Sequence, residues 1–397
     1  MEKLPRIKEV MNKIIVFIVV FLPFLGWSQL DSNSFWKEHT EFNGYLKFMQ
    51  TFSGDQAGNI YDQSLWHNRI NTKFFKRTRN GENEFFLELR NRVFYGEAIQ
   101  MDSQIKEILD FDLGITDLSF VIGDADKFLY SAIIDRLWYK GSYGDWEWSL
   151  GRQRVNWGIN SYWNANDLFN AFTFTDFDYE ERPGSDAVRV QKYFKNGANL
   201  EFAGSVNSDT AFIGASKFSW NKWNYDFQLL AGKYYNDYVI GCGWAGGIKK
   251  WGFKGESSYF VNSETSSSNV ASMSVSGEYI LSGNRFLGIG LLYSSNGISG
   301  GSVISNDLLS FQTSAKSLMP TRWSTITSFV GEINGLTNYA LILVYMPGVN
   351  FALLMPSLTR SIAQNFDLSI HMINTAGNLN GQNIFLANGF ARAKWSF

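Results

Sequence analysis

From Phe85 to Tyr95 the odd positions are Phe85, Leu87, Leu89, Asn91, Val93 and Tyr95, while the even ones include Glu88, Arg90 and Arg92. A period of two describes a strand with one apolar and one ionic face. The pattern returns where Trp223, Tyr225, Phe227, Leu229 and Ala231 alternate with Asn224, Asp226 and Gln228. It returns again where Met273, Val275 and Tyr279 oppose Ser272, Ser274, Ser276 and Glu278, and where Phe366, Leu368, Ile370 and Met372 oppose Asn365, Asp367, Ser369 and His371. Soluble sandwiches alternate as well, so length has to decide. Most such segments here run 9 to 13 residues, whereas globular strands usually have about 5 or 6 and a tilted membrane strand needs about 9 to 11.

Eighteen candidate strands follow, near 41–53, 65–78, 83–97, 129–141, 144–154, 186–194, 197–206, 209–219, 222–234, 237–247, 251–262, 269–281, 284–295, 321–333, 336–346, 349–360, 364–373 and 384–397. Long connections (98–128, 155–185, 296–320, 374–383) fall between odd and even strands. Asn80-Gly81, Gly141-Ser142-Tyr143, Lys195-Asn196-Gly197 and Ser282-Gly283 are tight even-to-odd turns. Asn80-Gly81 is the strongest hairpin signal, because both central residues of a type I′ turn need positive φ. Long loops on one rim and short turns on the other predict an all-β fold, a transmembrane antiparallel up-and-down barrel with both termini on the short-turn side. Short outer turns near 207–208 and 347–348 keep sixteen strands as an alternative to eighteen.

The N-terminus reads as an export label. Lys13 precedes an apolar run from Ile14 to Leu25, too short for a spanning helix, and Gly26-Trp27-Ser28 supplies small residues for signal-peptidase cleavage before Gln29. Met11 is an alternative start. Residues 1–28 are thus a signal peptide, 29–40 a short N-terminal segment, and 41–397 the barrel. The chain ends on Gly389, Ala391, Ala393, Trp395 and Phe397, one uncharged face closing on an aromatic residue. Trp395 and Phe397 resemble the closing-strand signal read by the barrel-assembly machinery.

The 14 Trp, 18 Tyr and 34 Phe then have a place to go, since aromatic girdles mark both membrane interfaces. Trp146, Trp148, Trp223, Trp251 and Trp395 are the interface candidates, in contact with outer-membrane lipid. A single cysteine, Cys242, and three scattered histidines leave no multi-cysteine or histidine-rich metal site. Thirty-five basic against 37 acidic residues give no surplus that favours nucleic acid. No phosphate-binding or dinucleotide motif is present, so no cofactor is implied.

On the polar parity the wall carries His67, Arg69 and Lys73, then Glu88, Arg90 and Arg92, then Arg189, with Arg392 and Lys394 beside the first strand after closure. One tract stands apart, from Gly151-Arg152-Gln153-Arg154-Val155-Asn156-Trp157-Gly158 through Asp167 to Arg189. It is too aromatic for a disordered loop and too charged for a lipid-facing wall. We read it as a loop folded into the lumen, its acids Asp167, Asp176, Asp178, Glu180, Glu181 and Asp186 facing Arg90, Arg92, Arg152, Arg154 and Arg189. Such pairs could orient polar solutes at a constriction or simply pin the loop, and both can hold for different residues.

The Gly-Arg-Gln-Arg strand end, Asn-Trp-Gly, Trp-Asn-x-Asn-Asp-Leu-Phe-Asn and Arg-Pro-Gly-x-Asp-Ala motifs resemble the same stretch of outer-membrane porin-like proteins related to the alginate-export family. The resemblance is confined to residues 151–189. It implies a barrel of about eighteen strands with an arginine-rich, loop-narrowed lumen for anionic polymers or small hydrophilic solutes. Carried over by motif, Arg152, Arg154, Asn156, Trp157, Asp167, Arg182, Asp186 and Arg189 are constriction candidates. The acid run from Asp176 to Glu181 departs from a purely basic lumen. The expectation is a non-enzymatic channel in the outer membrane of a Gram-negative cell, passing polar or charged small solutes or short saccharides. A scaffold or docking barrel is the alternative, and a rim-active hydrolase using His371 near Asp367 a further one.

Overall fold

The computed structural model describes residues 38–397 apart from 56–57, 98, 100–104, 111, 113, 124–126, 171–183, 263–267, 301–310, 312 and 380–381. Residues 1–37, with the predicted signal peptide, lie outside the described residues. The wall begins with β1 (Thr40–Gly54), β2 (Ile60–Thr78) and β3 (Gly81–Gly96), followed by helix α1 (Ile105–Asp110) and a short β4 (Ser119–Ile122). Next come β5 (Phe128–Tyr143), β6 (Trp146–Gln153), β7 (Ser185–Tyr193), β8 (Asn199–Val206), β9 (Phe212–Lys222), β10 (Tyr225–Tyr234), β11 (Asp237–Ile248) and β12 (Trp251–Asn262). The circuit is completed by β13 (Val270–Leu281), β14 (Arg285–Ser294), β15 (Trp323–Asn334), β16 (Thr337–Met346), β17 (Phe351–Ala363), β18 (Phe366–Leu379) and β19 (Gln382–Ser396).

Each strand is antiparallel to the next, and β19 closes on β1 with Tyr45 opposite Ser396 and Ser53 opposite Asn388. Closure pairs every wall strand on both sides, the short β4 excepted, so the backbone amides of the wall are bonded between strands. Setting β4 aside, the result is a closed eighteen-stranded antiparallel barrel, and each of the eighteen predicted strands has its counterpart. Strand β4 was not foreseen. Four residues long, it pairs with the upper half of β5, Ser119 opposite Ile133, on the edge that β6 occupies lower down.

Three turn readings need correction. Gly141-Ser142-Tyr143 belongs to β5, and the chain reverses at Gly144-Asp145, with Gly144 at φ 56. The stretch 374–383 is largely strand, since β18 runs to Leu379 and β19 starts at Gln382. At the β2–β3 hairpin the two loop residues are Arg79 and Asn80, because Thr78 already pairs with Gly81, and neither has positive φ. Gly81 serves close approach instead: a Cβ there would run into the Ser142 carbonyl of β5. Among the described turns it is Trp223-Asn224, at φ 55 and 60, that shows the type I′ signature.

The outer face is apolar, with Leu150, Leu229, Ile240, Ile289 and Leu343 all exposed. Buried side chains lie inside the cylinder, where chain from the long connections packs against the inner wall. Val155, Trp157, Leu168 and Phe169 cluster with Tyr234, Val239 and Phe260. Trp163, Ala165, Leu318 and Met319 cluster with Leu292, Ile326 and Val344. Ile99 packs with Met49, Leu65, Phe94 and Leu129.

Candidate channel lining and its loop

The described part of the β6–β7 connection, 154–170, lies on one side of the lumen against β8 to β15. Those strands present small hydroxyl residues inward: Ser258, Ser272, Ser274, Ser276, Ser294, Ser324 and Ser328 are all buried. A small hydroxyl lets a second layer of backbone come close and still offers it a hydrogen bond. Ser274 Oγ donates to the Trp163 carbonyl at 2.7 Å and Ser258 Oγ to that of Ala165 at 2.8 Å. Tyr162 Oη meets Ser328 Oγ at 2.6 Å, and Gln228 Nε2 donates to the Trp157 carbonyl at 2.8 Å. Glycine completes the fit at Gly288, where a Cβ would collide with the Tyr162 hydroxyl.

Two buried carboxylates fix the loop. Glu256, on β12, accepts the backbone N–H groups of Ile159 and Asn160 on Oε1 and that of Asn166 on Oε2. Glu201, on β8, accepts from Trp157 Nε1 at 2.7 Å and from Arg189 on Oε1, and from Gln191 Nε2 at 3.0 Å and Lys217 Nζ at 3.1 Å on Oε2. Every lone-pair direction of Glu201 is thereby used, the condition under which a buried carboxylate is tolerated. Neither glutamate was singled out in the sequence. Their inward parity was legible, Glu201 between Leu200 and Phe202, but nothing local tells that a loop some forty to ninety residues away supplies the donors.

The opposite wall is basic. Lys394, Lys47, His67 and Arg92 are successive register partners across β19, β1, β2 and β3, and Arg69 faces Arg90 one step away. Arg92 Nη2 lies 3.4 Å from Ser131 Oγ. Acids are interleaved: Glu88 pairs with Arg69 and, at 3.6 Å, with Arg136, while Arg90 holds Asp135 through Nε at 2.7 Å and Nη2 at 2.8 Å. A β-bulge opposite Glu88–Leu89 makes this possible, since Asp135 is the extra residue on β5 and brings two successive side chains to Arg90 and Glu88. Lys47, Asp135 and Lys217 were also not foreseen as site residues.

Arg152 is held differently. Its guanidinium donates to both oxygens of Asp186 at 2.8 and 3.2 Å, to Asp112 at 2.7 Å, to the Thr116 carbonyl at 2.8 Å and to that of Ile134 at 3.3 Å. It lies on the outward parity of β6, next to exposed Leu150, and ties the β3–β5 connection to β6 and β7. Of the remaining candidates, Arg154 is half-buried at the root of the loop, Asn156 is exposed on it, and Asp167 is buried within it. Asp176, Asp178, Glu180, Glu181 and Arg182 lie outside the described residues. Trp146, Trp148, Trp223, Trp251 and Trp395 are all exposed outward, and Trp146, Trp223 and Trp251 adjoin tight turns. Trp395 packs on Phe397 at 5.4 Å between ring centroids.

No family model and no curated protein sequence matches the chain. Solved structures do. OccK5 (OpdH) of Pseudomonas aeruginosa superposes with a TM-score of 0.57 at 9% identity, covering 90% of this chain and 98% of that one. OpdQ of the same organism gives 0.57 at 9%, again covering 90% and 98%. OccAB4 of Acinetobacter baumannii gives 0.54 at 8%, with the same coverage. At this identity the likeness concerns architecture: the chain has the fold of a porin-like β-barrel.

Proposed function

We propose that this barrel is an outer-membrane channel through which polar and charged small solutes, short saccharides among them, pass down their gradients. The carrying observation is the division of the lumen into two walls. Loop 154–170 is fastened to the serine-lined wall by Glu256 and Glu201, and the opposite wall presents half-buried Arg92, Arg392 and Lys394 beside the buried Lys47, His67, Arg69 and Arg90. A water-filled passage along such a wall favours anions, since fixed positive charges within a Debye length of the passing ion attract it. Export through the 1–28 signal peptide and recognition of Trp395 and Phe397 by the assembly machinery belong to the same reading, as does the kinship with alginate-export barrels suggested by residues 151–189. Single-channel recording in planar bilayers tests it. Discrete conductance steps with anion preference are expected, and folded protein that inserts without conducting would return the scaffold reading.

A catalytic role is disfavoured by the contacts around the candidate histidine. His371 Nε2 lies 3.0 Å from Ser369 Oγ, but that hydroxyl also accepts Arg392 Nε at 3.0 Å, and Asp367 is the register partner of Lys394. The acid is thus placed beside an ammonium group across the strand pair, where a hydrolytic triad needs it to orient the imidazole.

A further inference from the structure

Two cavities lie back to back across the wall at β6–β8. The inner one, about 360 Å³, is lined by Phe169, Asn170, Ser185, Asn207, Tyr235 and Thr313 among others. The outer one, about 610 Å³, is walled by the exposed apolar residues Ile115, Leu150, Val188 and Phe212 and by half-buried Leu137. Arg152, Asp186, Ser205 and Val206 line both. The wall here is therefore one layer of side chains thick.

It is also low. Strands β6 and β8 have eight residues each, which at about 3.3 Å per residue and a tilt near 40° gives a height of roughly 20 Å, short of the ~25 Å apolar belt of such barrels. Above Gln153 the neighbour of β5 is β4, and among the described residues β4 pairs with β5 alone. The notch between β4 and the tops of β6–β8 is closed by polar contacts rather than by a ladder. Arg152 reaches Asp112 and the Thr116 carbonyl, and the Ile115 N–H donates to Asp186 Oδ2 at 2.8 Å. An unpaired edge at bilayer depth is otherwise avoided, so a seam held by a handful of side-chain bonds is a place where the wall can part.

We propose that this notch is a lateral portal between the lumen and the outer leaflet. Its ligand is a single-chain amphiphile with an uncharged, hydroxyl-rich head, the monoacylglycerol class. The chain lies in the outer groove and the head in the inner cavity. The head assignment follows from the charges there. Arg90 and Arg152 face Asp112, Asp135 and Asp186 and are paired with them. An anionic head would meet a carboxylate surplus, whereas hydroxyls can bond Asn207 and join the network in which Asn170 already accepts the Val155 N–H and donates to Ser185 Oγ, beside the Tyr235 ring. The inference rests on the barrel spanning a bilayer, and is independent of solute conduction.

The test uses the full chain in lipid nanodiscs free of detergent, with a monoacylglycerol carrying a photoreactive group at its head and mapping of the labelled peptides. Label is expected on the segments around Asn170 and Asn207. Gly204→Leu fills the outer groove without a clash, since a Cβ there meets the Phe212 ring at 3.7 Å. It should lower that label about tenfold, the loss of one binding contact worth about 1.4 kcal/mol. Val188→Trp should do the same. Channel conductance of both variants should stay at the wild-type level, because both residues face outward. Head label spread evenly around the outer face, or unchanged by both variants, overturns the portal. Equal labelling by a carboxylate-headed analogue overturns the head assignment. Absence of conductance with the label in place would instead overturn the channel reading alone.

Discussion

Asn166 and Glu256 meet through a backbone N–H and a carboxylate oxygen at 2.9 Å, while the other oxygen of Glu256 takes the N–H of Asn160 at 2.7 Å. One side chain of the wall thus clamps both ends of a loop segment and substitutes for the ladder that this backbone lacks. A buried N–H without a partner costs about 1 to 3 kcal/mol, so the loop conformation depends on this carboxylate more than on any sequence preference of its own.

Glu256→Gln keeps the volume but turns an NH₂ toward donors. At least one of the three N–H groups loses its acceptor, and the loop should loosen by about 1 to 3 kcal/mol. Single-channel traces should become noisier, with added open levels, and protease should cut within 156–168 faster than in the wild type. Traces and cleavage identical to wild type would remove Glu256 as the clamp.

Gly288→Leu tests the fit from the wall side. A side chain there must displace the Tyr162 ring, which lies directly over it and bonds Ser328. The loop would be pushed into the lumen, so conductance should fall while the barrel still folds and inserts. Gly204→Leu, outward-facing, is the matched control. Equal conductance in both variants would mean that the loop is not seated on β14.

Around Glu201 the expected effect is on stability. Trp157→Phe removes one of four donors and leaves Arg189, Gln191 and Lys217 in place, so the barrel should lose about 1 kcal/mol. Glu201→Ala leaves two cations facing each other in a buried site and should cost about 3 to 5 kcal/mol. Thermal unfolding followed by the loss of heat-resistant migration in gels measures both. Equal shifts for the two substitutions would show that the cations are not organised by Glu201.

The strands were legible because lipid-style burial imposes a period of two that does not depend on partners: Leu229 and Ile240 declare an outward face wherever they pair. The lumen was legible only in parity. That Arg90 and Arg189 point inward could be read from the chain. That Arg189 is spent on Glu201 and Arg90 on Asp135 could not, because the first depends on where a loop lands and the second on a bulge that breaks the period at Asp135. Arg152 shows the limit most plainly. Its motif context suggested a constriction, and parity alone, beside outward Leu150, was the signal that it belongs to the seam.

Charge reversal separates the two kinds of arginine. Arg92→Glu puts an acid into the row formed by Lys394, Lys47 and His67, on the wall opposite loop 154–170, and Arg154→Glu puts one at the loop's root. Each should move the reversal potential in a salt gradient toward cation preference, more strongly at low ionic strength where the Debye length is longer. Arg152→Glu faces Asp186 and Asp112 with no counter-charge. It should lower thermal stability by several kcal/mol through three mutually repelling acids, and change selectivity little in whatever fraction inserts. A shift in reversal potential for Arg152→Glu as large as that for Arg92→Glu would place Arg152 in the conducting path after all. The tie that Arg152 makes between the β3–β5 connection and β7 would then be part of the pore rather than its side.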